Sequence, residues 1–174
     1  DTDPDDTSDG GGTFKSYTHY ETDEDADGTC EQFENAGWNP TDTYVVYGED
    51  YITLDVTGHE LTHAVIQYSV GTTDEDTLTQ EYESGALNES YADIFGEFIE
   101  LKNGGAGEWL HREDYVDGEN RDFADPNRSS YNETLPPDTT TNYGQPAHVG
   151  EQADVTDPVC SNETDNGCIH LNSG

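Results

Sequence analysis

The sequence predicts an α+β fold in which a β-hairpin precedes two long helices and a loop-rich C-terminal half. Two observations predict this order. Aromatic and β-branched residues cluster in segment 43–54, as in a strand or hairpin. Apolar residues then recur at helical spacing in segments 55–70 and 86–102. A length of 174 residues is enough to bury a core of ordinary size.

The composition is strongly acidic, with 40 Asp and Glu against 5 Lys and Arg and a net charge of −35. Such a field repels phosphate backbones and excludes nucleic acid as the default partner. No apolar run is long enough to span a membrane. With 30% hydrophobic residues the chain resembles a disordered one. The 11 Tyr, 5 Phe and 2 Trp instead favour a folded protein adapted to concentrated salt, from a haloarchaeal-like source.

Residues 1–12 form a polar, acidic tail without apolar periodicity. Segment Thr43–Leu54 is predicted to form a strand or hairpin that is broken at Gly48. From Gly104 onward, Pro, Gly, Asn and Asp dominate, which predicts mainly loops.

The first predicted helix spans 55–70 and ends at Gly71. The second spans about 86–102 and ends at the glycines that follow Asn103. One face of this second helix carries only large apolar residues, namely Leu87, Tyr91, Ile94, Phe95 and Phe98.

His59 and His63 lie in an H-E-x-x-H pattern on the first helix. A spacing of four residues places both imidazoles on one helix face, where they can bind one zinc ion. Glu60 can reach a water at that ion without binding the metal itself. The simpler alternative is a helix with two half-buried histidines.

Glu89 and Asp93 lie four residues apart on the second helix, on the face away from its apolar stripe. A catalytic zinc site needs three protein ligands and a carboxylate that orients a histidine ligand. Glu89 and Asp93 supply these two groups, unless they belong to a solvated acidic face.

Several stretches resemble the thermolysin-type neutral metalloproteases (gluzincins), in the order of that family. These are residues 35–39, 55–65, 84–96, 121–126 and 165–174. The resemblance implies a zincin-type cleft between the H-E-x-x-H helix and the second helix. It also implies that 13–54 ends an N-terminal β-rich lobe and that 55–174 holds the catalytic helices and the start of a C-terminal lobe, so that the chain is a fragment.

The resemblance implies a role for each group at the centre of the cleft. His59, His63 and Glu89 would bind Zn²⁺, and Asp93 would orient His59. Glu60 would take a proton from the nucleophilic water and pass it to the leaving amine.

Outside the zinc centre, the resemblance implies that His170 donates to the oxyanion of the tetrahedral intermediate. Arg121 would bind the substrate carbonyl. Asn35 and Ala36, in the segment that includes Trp38, would bind the peptide main chain as an added strand.

The resemblance also implies a second metal, calcium. Clusters of carboxylates suit this ion. The acids at the corresponding positions are Asp55, Glu100, Glu108 and Glu113. A separate calcium-loop pattern consists of Asp23, Asp25, Asp27 and Glu34. In so acidic a chain, either set could instead be surface charge or a salt-adapted insertion.

Of the three cysteines, Cys160 and Cys168 could form a local disulfide in an exported protein or remain reduced, and Cys30 is left over. We expect a secreted, monomeric zinc endopeptidase that cuts peptides before bulky apolar residues in high salt. Two alternatives stay open: a catalytically inert zinc- or calcium-binding fragment of such a protease, and an acidic calcium-binding segment without zinc chemistry. One departure from the family is that segment 71–82, between the two helices, is longer than usual.

Overall fold

A computed structural model describes residues 14–23, 28–70, 78, 81–105, 109–111, 121–125, 168–170 and 173. Its elements are seven short strands and two long helices, in agreement with a predicted α+β fold. In chain order they are β1 (Lys15–Thr18), β2 (Glu21–Thr22), β3 (Glu31–Gln32), β4 (Ala36–Asn39), β5 (Tyr44–Tyr47), α1 (Leu54–Val70), α2 (Tyr82–Asn103), β6 (Leu110–His111) and β7 (Arg121–Asp122). The acidic tail 1–12 lies outside the described residues.

Strands β1, β5 and β4 form a sheet in that order, so that β4 is an edge strand of it. β5 pairs parallel with β1 and antiparallel with β4. The side chain of Asn39 closes the turn between β4 and β5, because its Oδ1 accepts hydrogen bonds from the backbone N–H groups of Thr41 and Asp42. Two-residue ladders join β2 to β3 and β6 to β7.

The prediction of a strand or hairpin over 43–54 is only partly correct. Tyr44–Tyr47 is a strand, but its hairpin partner is the preceding strand β4 rather than the segment that follows Gly48. Gly48 packs so closely on the backbone of Phe33 that a Cβ would lie 1.7 Å from its carbonyl oxygen. The chain leaves the sheet there, and Leu54 begins helix α1.

Both helices are present and extend slightly beyond the predicted limits. α1 begins one residue early, and α2 begins at Tyr82 rather than near Ala86. Gly104 ends α2 in the left-handed conformation, with φ of 98°, and its N–H bonds to the carbonyl of Glu100. The loop-rich part after Gly104 also contains β6 and β7, for which the sequence gives no signal.

The buried face of α2 is the polar one. Asn88, Glu89, Asp93 and Glu97 are buried, together with small residues of the same helix. The apolar stripe of this helix is exposed, comprising Leu87, Tyr91, Ile94, Phe95 and Phe98. Helix α2 therefore presents charged side chains to α1, against the usual orientation of an amphipathic helix.

Helices α1 and α2 approach closely where two glycines meet. A Cβ on Gly58 would lie 2.9 Å from the Cα of Gly96, and a Cβ on Gly96 would lie 2.5 Å from the carbonyl oxygen of Asp55. Neither position can hold a larger residue without moving backbone. This contact fixes how the two helices align along their axes.

The apolar core lies between the sheet and α1. It consists of Ala36, Trp38, Val45, Tyr47, Val56 and Ala64, with Tyr51 packed at its edge. The indole of Trp38 also donates a hydrogen bond of 2.8 Å to Gln67 of α1. The core thus places β4 against the helix that carries the H-E-x-x-H pattern. None of the helices described is both long and apolar enough to cross a membrane.

Candidate metal centre and active site

His59 and His63 face each other one turn apart on α1, and both are buried. Their outer nitrogens are held by α2: Nδ1 of His59 lies 2.7 Å from Asp93 Oδ1, and Nδ1 of His63 lies 2.9 Å from Asn88 Oδ1. Because both partners are acceptors, each Nδ1 carries the proton. The two Nε2 atoms, 3.0 Å apart, therefore turn their lone pairs toward one point.

Glu89 completes this arrangement from α2. Its carboxylate oxygens lie 3.3 Å from Nε2 of His59 and 3.5 Å from Nε2 of His63. Glu89 Oε2 is buried and makes no hydrogen bond among the described residues. Two imidazole lone pairs and a carboxylate oxygen that converge in this way suit a zinc ion with one coordination position left open. The residues present therefore fit the metal that the sequence predicts.

The charges around the metal centre are coupled through Asp93. Burial alone would raise the pKa of Asp93, but the guanidinium of Arg121 and the ring of His59 hold it well below its usual value. Burial alone would lower the pKa of His59, but without a bound metal its hydrogen bonds to Asp93 and Glu89 raise it to about 10. A metal ion at Nε2 would therefore bind in place of a proton. Asp93 is thus a charged, buried acceptor that orients His59 and also contacts Arg121.

Glu60, His170 and Arg121 lie around the metal centre in different directions. Oε1 of the buried Glu60 is 4.0 Å from Nε2 of His59, beside the ligand trio rather than within it. Nε2 of the half-buried His170 lies 3.3 Å from Glu89 Oε2. The buried Arg121 reaches Asp93 from strand β7. A base, a hydrogen-bond donor and a cation therefore surround the same small space.

A cavity of about 190 Å³ opens at this centre. One of its walls is formed by strand β4 and the residue before it, with Asn35, Ala36 and Trp38 among the lining residues. Every catalytic, zinc-binding and substrate-binding residue predicted above lines this cavity, except Asp93, which lies behind His59. In the part of the chain that the structure describes, β4 is an edge strand that lines the cavity, to which an extended peptide could pair.

The predicted calcium sites are described only in part. Asp55 is buried and faces Glu97 and His111, whereas Glu100 is half-buried near Gly105. Asp23 holds the N–H of Gly28 through its carboxylate, and Glu34 is exposed. The remaining predicted calcium ligands lie outside the described residues: Asp25, Asp27, Glu108 and Glu113. Neither calcium prediction is therefore tested.

The cysteines differ in state. Cys168, next to Ile169 in the cavity wall, is buried and disulfide-bonded. Cys30 is exposed and free. Cys160 lies outside the described residues.

Three residues of the site were not predicted. Asn88 holds His63, and its position directly before Glu89 in the helix pattern could have indicated this role. His111 lines the cavity, lies 3.7 Å from Asp93 and contacts Glu97 at 3.3 Å. Nothing in the sequence distinguishes His111 as part of a site, because β6 brings it there from a segment without a recognisable motif.

Comparison with known proteins assigns the sequence to a family. Residues 77–174 match the family described as thermolysin metallopeptidase, alpha-helical domain, and residues 5–67 match thermolysin metallopeptidase, catalytic domain. The first match alone covers more than half of the chain.

Individual relatives agree with this assignment. A zinc metalloproteinase of Renibacterium salmoninarum is 36% identical over 148 residues, which are 82% of this chain and 23% of the relative. Bacillolysin of Bacillus cereus is 33% identical over 95% of this chain and 25% of its own length. Thermolysin of Alicyclobacillus acidocaldarius is 34% identical over 82% of this chain and 23% of its own length.

Among solved structures, the precursor of protealysin, a metalloproteinase from Serratia proteamaculans, superposes with a TM-score of 0.56 at 28% identity. The match covers 79% of this chain and 42% of that one. The chain spans about a quarter of the length of the curated relatives named above. On these family matches, this chain belongs to the thermolysin family of metallopeptidases.

Proposed function

We propose that the protein is a zinc metalloendopeptidase that hydrolyses peptide bonds. One observation carries the proposal: His59, His63 and Glu89 converge on one point, with the carboxylate of Glu60 beside them in a cavity. A metal site with only a structural role would not need a further carboxylate, such as that of Glu60, beside its three ligands. Family membership supports the reaction class, and the relatives include proteins named zinc metalloproteinase and thermolysin.

The three ligands would hold one zinc ion, which when bound supplies a Lewis acid that activates water and polarises a carbonyl. Glu60 is the residue placed to accept the proton of the attacking water, because its carboxylate lies next to the ligands without joining them. The same carboxyl group would then return the proton to the leaving amine. Asp93 would keep His59 in the orientation that binding requires.

Groups on the other walls of the cavity would hold the substrate. His170 would donate a hydrogen bond to the oxygen that becomes negative during attack, since its imidazole faces the metal centre. Arg121 would bind a substrate carbonyl while its contact with Asp93 fixes its position. The substrate main chain would pair with the edge of β4 near Asn35 and Ala36.

We further propose that the enzyme is secreted as a monomer, uses calcium for stability and works in concentrated salt on sites before bulky apolar residues. The net charge of −35 supports salt adaptation, because screening at high ionic strength removes most of the self-repulsion. The disulfide at Cys168 supports an oxidising compartment. Val56 and Ile169 supply apolar surface to the cavity for such a side chain.

Hydrolysis of an unstructured protein substrate tests the proposal. The purified protein is assayed in KCl of about 3 M, where the Debye length falls below about 3 Å. We expect cleavage that a zinc chelator abolishes and that added Zn²⁺ restores. Glu60→Gln should lower the rate by roughly 10²–10⁴-fold while zinc remains bound.

The matched control is Glu83→Gln, which removes one exposed carboxylate from the first turn of α2. This variant should cleave at the parent rate. Undiminished cleavage by Glu60→Gln would overturn the role of Glu60. A protein that binds zinc but shows no cleavage would favour the inert metal-binding alternative.

A further inference from the structure

A second group of side chains that could hold a metal ion adjoins the candidate zinc centre. It brings together Asp55 of α1, Glu97 of α2 and His111 of β6, all at most 2% exposed. Nδ1 of His111 lies 3.4 Å from Asp55 Oδ2 and 3.3 Å from Glu97 Oε1. The three ligand atoms all lie within 4.8 Å of one another.

The two separations from His111 match those between ligands of a bound ion. Ligands at about 2.0–2.2 Å from a tetrahedral metal ion are separated by roughly 3.3–3.5 Å. The His111 cluster shows separations of 3.3 and 3.4 Å, and the corresponding distances in the first trio are 3.0–3.5 Å. Two carboxylates with one imidazole suit a transition metal such as zinc, whereas calcium prefers oxygen ligands alone.

The backbone holds these three side chains in place. Asp55 and Glu97 lie at the contact between Gly58 and Gly96, where the two helices cannot separate or slide without losing packing. His111 is fixed by its register opposite Arg121 in the β6–β7 ladder. A site built on such rigid elements needs little rearrangement to bind an ion.

The surroundings of the His111 ring provide an independent argument. Carboxylate oxygens lie near both of its nitrogens: those of Asp55 and Glu97 near Nδ1, and that of Asp93 at 3.7 Å from Nε2. In either neutral tautomer, one nitrogen lone pair therefore faces a carboxylate. A cation bound at Nδ1 removes this conflict and leaves the Nε2 proton to point toward Asp93.

We propose that Asp55, Glu97 and His111 bind a second divalent transition-metal ion, so that Asp55 serves this ion rather than the calcium that the sequence predicts at its position. The site shares Asp93 with the first centre, because Asp93 lies between Nε2 of His111 and Nδ1 of His59. An ion at the second site would thus help to hold the orientation of a ligand at the first. This inference concerns metal binding alone and does not depend on the proposed peptidase activity.

Zinc stoichiometry tests the second site. The purified protein is stripped of metal in concentrated KCl, titrated with ZnCl₂ by calorimetry, and then assayed for bound zinc by mass spectrometry after gel filtration. We expect two zinc ions per chain. Glu97→Gln, which is nearly isosteric, should retain one ion and lose at least tenfold in affinity for the other.

Two further variants separate the sites. His63→Gln should weaken the first site and leave the second, whereas Glu83→Gln on the exposed surface should still bind two ions. Circular dichroism checks that each variant keeps its helices.

The parent protein decides the matter even if a variant fails to fold. One zinc ion per parent chain would overturn the proposal and leave the cluster as a buried histidine in contact with two carboxylates. Two ions retained with unchanged affinity by Glu97→Gln would also overturn it. Loss of peptide hydrolysis with two ions bound would contradict the proposed function alone.

Discussion

The two faces of helix α1 are packed in opposite ways. Toward the sheet, α1 contacts an apolar cluster that includes Trp38, Val45 and Tyr47. Toward α2, it contacts buried carboxylates, of which Glu89 and Asp93 are the most central. One helix therefore joins a conventional hydrophobic core to an interface made largely of charged groups.

The two interfaces obtain their stability from different sources. Apolar surface is buried favourably by itself, at about 25 cal/mol per Å². Buried charges are costly unless cations or hydrogen bonds compensate them. The sheet side should therefore be stable without metal, whereas the helix pair should depend on bound ions and on its glycine contact. The following experiments test this difference, in order of expected effect.

Metal removal should affect the helix pair most. An ion present at a thousandfold excess over its dissociation constant stabilises the folded state by about 4 kcal/mol. We expect a chelator to lower the free energy of unfolding by at least this amount in concentrated KCl. Chemical denaturation followed by circular dichroism measures the change, and equal stability with and without zinc would contradict the comparison.

Gly96→Ala should have the next largest effect. The new Cβ would lie 2.5 Å from the carbonyl oxygen of Asp55 and would force the helices apart. Overpacking of this kind costs about 3 kcal/mol, of which the helix propensity of alanine returns about 1 kcal/mol. Zinc affinity should fall as well, because the ligands lie on both helices.

Gly37→Ala on strand β4 is the matched control, since a Cβ added at this position would meet no neighbouring side chain or backbone within 4 Å. Its free energy of unfolding and its zinc affinity should both remain close to those of the parent. A Gly96→Ala protein as stable as Gly37→Ala would show that the helix contact is not tight.

Val45→Ala tests the sheet side. Val45 is fully buried in the apolar core, so loss of its two methyl groups should cost about 1.5 kcal/mol. Zinc affinity should not change, because no ligand lies on β5. A simultaneous loss of zinc affinity would show that the two interfaces are energetically coupled.

Tyr47 should have the smallest effect on the free energy of unfolding, and this effect should depend on pH. Burial raises the pKa of its hydroxyl to about 12, with the charge of Glu60 adding to the shift and a hydrogen bond to Thr57 opposing it. In the unfolded chain the pKa of this hydroxyl is about 10. The contribution of Tyr47 to the free energy of unfolding is therefore fully present below pH 10 and is lost as the pH rises toward 12. The loss should be about 1 kcal/mol at pH 11.

Tyr47→Phe should remove this part of the pH dependence of unfolding, measured between pH 9 and pH 11. Tyr17→Phe, at an exposed position of β1, should leave the dependence unchanged. An identical decline in the parent and Tyr47→Phe would exclude Tyr47 as its source.

Local sequence patterns predicted several of the side chains that the structure brings together at the candidate metal centre. His59 and His63 are four residues apart, and so are Glu89 and Asp93, so helical periodicity alone places each pair on one face. His111 could not be predicted in the same way, because a short ladder brings it to the centre from a distant segment. Local spacing contains no information about such a contact.

The fold was less predictable where several packings satisfy the same pattern. The residues of β5 suit a strand, but they do not say whether the partner precedes or follows Gly48. The apolar stripe of α2 would ordinarily face the core, yet it is exposed and the polar face meets α1. Packing decides this orientation, since only the face with Gly96 allows the two backbones to approach.

The contact between Gly58 and Gly96 also bears on how this sequence could diverge from its relatives. Because two points within the helices set their alignment, the positions of the metal ligands do not depend on the length of the segment that joins α1 to α2. Insertions between Val70 and Tyr82 therefore cost little more than loop-closure entropy, which grows slowly with length. A longer connection is therefore a change that natural selection could accept without rebuilding the centre, whereas a larger residue at either glycine is not.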